Sequence, residues 1–400
     1  MKAIINGTII CPKQGRIENA RILFDEEKIY SVGSNDLDLP QDATIIDAQG
    51  KFLVPGFIDP HCHQGLFDGS SGWAGSDGNE MTDPITPHVR GIDAFNPEEP
   101  SLKEVLHGGV TCINTGPGSG NVISGQTLIL KPVGAHIVDE MIVKAPAALK
   151  VALGENPKRV HGQQNKRMPM TRMGVAALLR NAFIDAQNYI EAWKAYDRKL
   201  EKAERDDKPL PAPPKRNLKL DILSKVLRKD IPIHAHCHRS DDIITIIRIA
   251  EEFNLQLVLI HATDSADIAE FIASRKIPAI YGPTLFWVSK PETKRRSFHT
   301  VEKLVKAGVK VALQTDSLTP MNFFPLLPMF VKKAGLSEAE ALRCVTINPA
   351  EILGIDDKVG SLEAGKDADI VIWSGHPFDF YSEVEEIFIN GKKIKLESKT

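Results

Sequence analysis

Residues 54–63, VPGFIDPHCH, decide how the rest of the chain is read. Val54, Phe57 and Ile58 are apolar and suit a strand, and Pro55-Gly56 marks the turn into it. Side chains alternate between the two faces of a strand, so His61 and His63 share one face and Cys62 takes the other. Two imidazoles side by side can chelate zinc, iron, nickel or copper. Alone the pair is a weak sign, because solvated and capping histidines are common. It gains weight from what ends the later apolar runs.

Working outward, Val110–Asn114, Leu149–Leu153, Ile231–His236, Leu255–His261, Ile277–Tyr281 and Val309–Gln314 are apolar runs of strand length. Helical patterns separate most of them, at Ser101–Leu106, Asp241–Phe253, Ser265–Ala273 and Thr300–Ala307. This alternation predicts an α/β fold with a parallel sheet, and its count and length favour a closed (β/α)8 TIM barrel. Either Thr127–Leu130 or His136–Val143 supplies the third strand.

Both ends of the chain have an all-β texture. Ala3–Ile10, Ala20–Phe24, Ile29–Val32 and Thr44–Ile46 are matched late in the chain by Ala368–Trp373 and Glu386–Ile394. An Ile-Asn-Gly hairpin signal occurs at each end. Neither end can bury much core alone. Residues 1–54 and 352–400 are therefore expected to form one β-sandwich domain beside a barrel spanning 55–351.

Two insertions interrupt the alternation. Gln64–Asn96, rich in Gly, Ser, Asp and Pro, is expected to be a long loop after the first strand, of a length that is usually functional or disordered. Thr171–Arg205 is a long charged helical pattern that stops before Pro209–Pro214, and it reads as a solvated helix or a lid over the site. Ser337-Glu338-Ala339-Glu340 is a capping box that starts a helix.

The 400 residues are 42% hydrophobic with a formal net charge of -3, so no global basic field attracts nucleic acid or an anionic membrane. No stretch reads as a signal peptide or a bilayer span. Cys11, Cys62, Cys112, Cys237 and Cys344 lack paired spacing and read as reduced thiols, which suits a cytoplasmic protein. A small-molecule substrate is the expected partner, with neither nucleic acid nor membrane, and a homo-oligomer is compatible with the chain.

Barrel enzymes carry their chemistry at the C-terminal ends of the strands. Here those ends read His61-Cys62-His63, Gly154-Glu155-Asn156, His234-Ala235-His236-Cys237-His238, His261 and Gln314-Thr315-Asp316-Ser317. Imidazoles and carboxylates end at least five strands, which predicts a metal centre.

With PGFIDPHCH, the His236 and His261 strand ends, LQTDS at Asp316, TINPAEILGI and VGSLEAGKDADIVIW in order, the chain resembles the amidohydrolase superfamily of metal-dependent hydrolases over nearly its whole length. Within it, the likeness is to the imidazolonepropionase- and prolidase-like branch. The resemblance implies metal ligands His61, His63, His236, His261 and Asp316, with His238 near substrate and His234 deeper. Many binuclear members bridge two metals with a carboxylated lysine. Here Glu155 ends the corresponding strand and is expected to be the bridge. One or two divalent ions are implied, zinc by default, with iron, nickel or manganese as alternatives. Hydrolysis of an amide-type C–N bond by a metal-activated hydroxide follows, with Asp316 as general base and His238 as a second catalytic group. N-acyl amino acids, dipeptides and cyclic amides are the candidate substrates. Arg159, His161, Gln163, Arg172, Gln126 and Lys131 could bind an anionic group on them. The nearest alternative is a mononuclear deaminase of a nucleobase-like ring. It needs a glutamate three residues after His236, where this chain has Arg239. A non-catalytic barrel scaffold is a remoter one.

Overall fold

The structure is a computed structural model that describes residues 1–133 and 136–396. Both chain ends join in one sheet. Its strand order runs Lys392–Ile394, Val384–Ile389, Ile370–Trp373, Phe52–Pro55, Lys2–Cys11, Gly15–Phe24, Ile29–Gly33, with Thr44–Asp47 pairing beside Lys2–Cys11. Alternation assigns its two faces. Ile9, Leu53, Ile370, Ile372 and Phe388 pack into the sheet's own core, whereas Ile10, Val54, Val371, Trp373, Ile387 and Ile389 belong to the main core. A strand buried on both faces needs apolar side chains at every position, which is why Ile370–Trp373 reads IVIW.

The two Ile-Asn-Gly signals resolve differently. Asn390 and Gly391, both at positive φ, turn the hairpin between Val384–Ile389 and Lys392–Ile394. Asn6 also has positive φ, but it lies inside the first strand at a register shift, so this copy is a bulge.

The central strands form two further sheets. In the larger, Leu149–Ala152, Ile233–Cys237, Leu257–His261, Ala279–Tyr281 and Val311–Leu313 run parallel in chain order. In the smaller, Phe57–Cys62 pairs parallel with Val110–Thr115. Among the described residues, no parallel third strand lies between them. Leu128–Leu130 runs antiparallel to Val110–Thr115, and Ile123–Gln126 runs antiparallel to Leu149–Ala152. Ladder pairing therefore leaves two sheets and detects no closed barrel among the described residues. Their far edges approach where the Asp316 N–H donates to the His61 carbonyl at 3.2 Å.

The long insertion is a 34-residue helix, Arg172–Arg205, whose buried residues lie mostly in its first half (Val175, Ala176, Leu179, Ala182, Phe183 and Ala186). It packs on the helices Leu218–Leu227 and Ser240–Glu252, in the outer layer. Ser337 and Glu340 form the expected capping box at the start of Glu338–Arg343.

Candidate metal centre

The strand ends gather their side chains into two groups. His61, His63 and Asp316 form one and His236, His238 and His261 the other, with the candidate donor atoms of each within 4.8 Å of one another. In the first, Asp316 Oδ1 lies 3.2 Å from His61 Nε2 and 3.3 Å from His63 Nε2. In the second, the ring centroids are 4.5–4.7 Å apart. The groups adjoin, since the His61 and His261 rings are 5.7 Å apart.

Simple alternation does not account for His261. In register, His234 pairs with Val258, His236 with Ile260, and His261 with Cys237. His261 should thus point away from His236, with Cys237. Its backbone is instead left-handed, with φ at 70°, and the ring swings back to its partners. Asp316 is left-handed as well, at φ 56°. Such conformations cost a non-glycine residue of order 1 kcal/mol and cluster at functional sites.

Further bonds aim the rings. His63 Nδ1–H donates to the Gly116 carbonyl and His261 Nδ1–H to the Gly282 carbonyl, each at 2.7 Å, which turns each Nε2 lone pair toward the site. His238 Nδ1 lies 2.8 Å from the Thr263 hydroxyl. Burial holds the His61, His236 and His238 imidazoles well below their ordinary value, and His261 at about 3. They are neutral near pH 7, the form that binds metal. Burial alone would raise the Asp316 carboxyl, but His261, His61 and His63 outweigh it and hold it well below the carboxylate range. Neutral imidazoles converging with an ionised carboxylate make a donor set that fits divalent metal ions.

Other expected residues fall elsewhere. Glu155 lies outside both groups, just past the strand end after Gly154 (φ 84°), and its N–H donates to the Glu292 carboxylate at 3.0 Å. Lys131 is buried against Asp367, Asp369 and Asn390, far along the chain in the terminal sheet. Arg172 pairs with Asp242 at 3.0 Å. Gln126 donates to the Pro87 carbonyl, and His161 bonds Asn121 and Arg167. Arg159 and Gln163 lie on the turn Lys158–Gln164. His234 is buried beneath the site, with its Nδ1 3.5 Å from the Asn114 amide nitrogen. All five cysteines are buried and unpaired, Cys62 and Cys237 among them.

Two residues went unnoticed in the sequence. Lys150, fully buried, brings its Nζ to 3.0 Å from His61 Nε2. Burial pulls its ammonium down to about 8. A lone charge inside the apolar run Leu149–Leu153 was the available signal. Asp59, two residues before His61, accepts from the Thr315 hydroxyl at 2.6 Å and from the His61 N–H at 3.1 Å, pinning both donor-bearing segments together. Burial raises its carboxyl to about 7.

Comparison with known proteins agrees with this geometry. Residues 216–395 match the model of the amidohydrolase family. A crystal structure of an amidohydrolase from Thermotoga maritima MSB8 is 43% identical, with a TM-score of 0.91 over 99% of this chain and 100% of that one. Amidohydrolase tasK of Hapsidospora irregularis is 30% identical over 88% of this chain, which spans only 37% of that longer protein. An imidazolonepropionase of Flavobacterium psychrophilum is 23% identical over 95% of this chain and 92% of its own length. Taken with the paired donor groups, these matches mean that the chain belongs to the amidohydrolase family, enzymes that hydrolyse carbon–nitrogen bonds.

Proposed function

We propose that this enzyme hydrolyses the amide-type C–N bond of an N-acyl amino acid, a dipeptide or a cyclic amide, using two divalent ions, zinc by default. The observation that carries the reading is the pair of adjoining three-residue donor groups at the strand ends. His61, His63 and Asp316 would hold one ion, and His236 and His261 the other, with His238 as a third donor or a catalytic group. The finer architecture belongs to the same reading: a (β/α)8 barrel at 55–351, with the third strand position filled by antiparallel segments, and a β-domain from 1–54 and 352–400.

Lys150 is a better bridge than Glu155. It reaches His61, and a buried amine near pKa 8 has an appreciable neutral fraction that can add carbon dioxide, releasing a proton and leaving an anionic carbamate. Bound ions would supply Lewis acidity, polarising a carbonyl and acidifying water. The chain's own part falls to Asp316. Ionised and fixed by His61 and His63, it takes the proton of the attacking water and returns it to the departing nitrogen. His238 is the nearest other group able to move a proton. A deaminase would need a glutamate at position 239, where this chain has Arg239, paired with Asp241 at the surface.

Metal counting after reconstitution with zinc and bicarbonate tests this. Two ions are expected in the parent and in Glu155→Ala, and fewer in Lys150→Met. One ion in the parent, unchanged in Lys150→Met, would remove the bridge. A hydrolysis screen across the three substrate classes that gave no turnover would remove the activity.

A further inference from the structure

The segment that follows strand Ala279–Tyr281 carries an unusual cation. Arg295 and Arg296 are neighbours, yet they part company. Arg295 turns outward and pairs with Asp264 at 2.8 Å. Arg296 is half-buried, and its Nη1 donates to the main-chain carbonyls of Phe286 at 3.2 Å and Trp287 at 3.4 Å. No carboxylate ion-pairs with it among the described residues. Arg172, Arg239 and Arg295 nearby each have one, and Lys290 of the same loop has Glu292 at 2.7 Å. A guanidinium that gives up part of its hydration and gains only carbonyl partners is matched to an anion from outside.

Its position relative to the donor groups is fixed by the backbone. The Ser297 N–H donates to Tyr281 Oη at 3.1 Å, and Tyr281 Oη–H returns a bond to the Ser297 carbonyl at 3.0 Å. Tyr281 is in register with His261 on one side and Leu313 on the other. Arg296 is thus tied to the strand between those bearing His261 and Asp316.

Exposed apolar side chains lie on the segments that bear His63, Asp316 and Arg296. The Phe67 ring is 6.0 Å from that of His63 and 40% exposed, and Leu318, two residues past Asp316, is 43% exposed. Trp287 stacks on Phe286 at 4.0 Å and is 72% exposed, on the loop whose carbonyls hold Arg296.

We propose that Arg296 is the specificity-determining residue that binds a substrate carboxylate beside the scissile amide, while Phe67, Leu318 and the Phe286–Trp287 pair accept an apolar side chain. The substrate class is then an acyclic amide of an apolar α-amino acid with a free carboxylate. This rests on the amide-hydrolase reading above. A paired guanidinium–carboxylate contact changes affinity by roughly 10- to 100-fold.

The test uses the zinc-loaded enzyme and a matched pair, N-acetyl-L-leucine and its decarboxylated analogue N-(3-methylbutyl)acetamide. The acid is expected to have at least a tenfold higher kcat/KM. Arg296→Met should lower kcat/KM at least tenfold more for the acid than for the analogue, chiefly through KM, and keep the metal content and melting temperature of the parent. Arg296→Lys should recover part of the preference. Equal rates for the two compounds, or equal losses for both in Arg296→Met, would overturn the proposal. Calorimetric binding of 4-methylpentanoate separates this proposal from the reaction itself. Binding at least tenfold weaker in Arg296→Met sustains the carboxylate site even if neither amide is cleaved, and binding that is equal in the two proteins overturns it.

Discussion

Lys131 and Lys150 are both fully buried lysines, nineteen positions apart, and they sit in opposite kinds of polar cluster. Lys131 joins the central body to the terminal sheet, with its Nζ bonded to Asp367 at 2.7 Å, Asp369 at 2.9 Å and Asn390 at 2.6 Å. Burial draws its ammonium down, but Asp369 and Asp367 outweigh it and hold it above its usual value. Among the described residues the Lys150 Nζ has only His61 as a hydrogen-bond partner, and burial takes the ammonium down to about 8. One cluster pairs its buried cation with carboxylates of its own chain. The other is a set of neutral imidazoles, an amine and one ionised carboxylate, whose possible ligand atoms converge in two adjoining groups. Converging neutral imidazoles beside an ionised carboxylate are a donor set suited to a divalent ion, so a cluster of this second kind points to an external ligand.

If that contrast is right, the two clusters fail differently when broken. Lys131→Met strips the buried Asp369 and the partly buried Asp367 of their shared cation and should destabilise the fold by about 3–5 kcal/mol in denaturant titration, while kcat of the folded protein stays within twofold. The pH dependence has a definite sign. The folded pKa of Lys131 lies above its unfolded value of roughly 10.4, so its contribution is fully present below that pH and is lost as pH rises through the folded pKa. The stability gap between parent and variant should be flat from neutral to about pH 10 and shrink above it. A gap that grew on the alkaline side would mean that the carboxylates do not hold the proton.

Asp316→Asn should do the reverse. The amide keeps the shape and an oxygen donor but cannot accept a proton. We expect at least about a hundredfold loss in kcat, or about 2.7 kcal/mol of barrier, with most of the metal retained and the melting temperature little changed. Metal and activity lost together would make Asp316 chiefly a ligand and shift proton transfer to His238. A variant that kept both would break the assignment of this strand end.

These residues were not equally legible in the sequence. His61 and His63 follow from strand alternation, and Asp316 from its place at the end of an apolar run. Helix Arg172–Arg205 and the capping box at Ser337 were readable because local periodicity and capping determine them. Lys150 was hidden because a single lysine in a strand carries no pattern, whereas Glu155, out of phase with it by alternation, stands at the strand end where a ligand is expected. The antiparallel segments between Val110–Thr115 and Leu149–Ala152 were hidden for another reason. Strand direction is set by non-local pairing, and a run such as Leu128–Leu130 is apolar either way. His261 shows the limit of alternation itself, since a left-handed φ reverses the face it predicts.

The smallest expected effect lies inside the Lys131 cluster and tests whether burial, more than charge pairing, gives it strength. Asp367 serves two lysines. Its Oδ2 is 2.7 Å from Lys131 Nζ and its Oδ1 is 2.7 Å from Lys28 Nζ. The geometries match, but the Lys28 side chain is 43% exposed and that of Lys131 only 4%. Water screens the outer pair, and ordering a long solvated side chain offsets much of the attraction, so such pairs contribute about 0.2–1 kcal/mol. Lys28→Met should therefore cost no more than about 1 kcal/mol, because Asp367 keeps Lys131 as its partner. The double variant with Lys131→Met reads their coupling through the shared carboxylate. Should Lys28→Met cost as much as Lys131→Met, burial would not distinguish the two cations. The rule that separates the self-contained cluster from the one built to receive metal would then rest on pairing geometry alone.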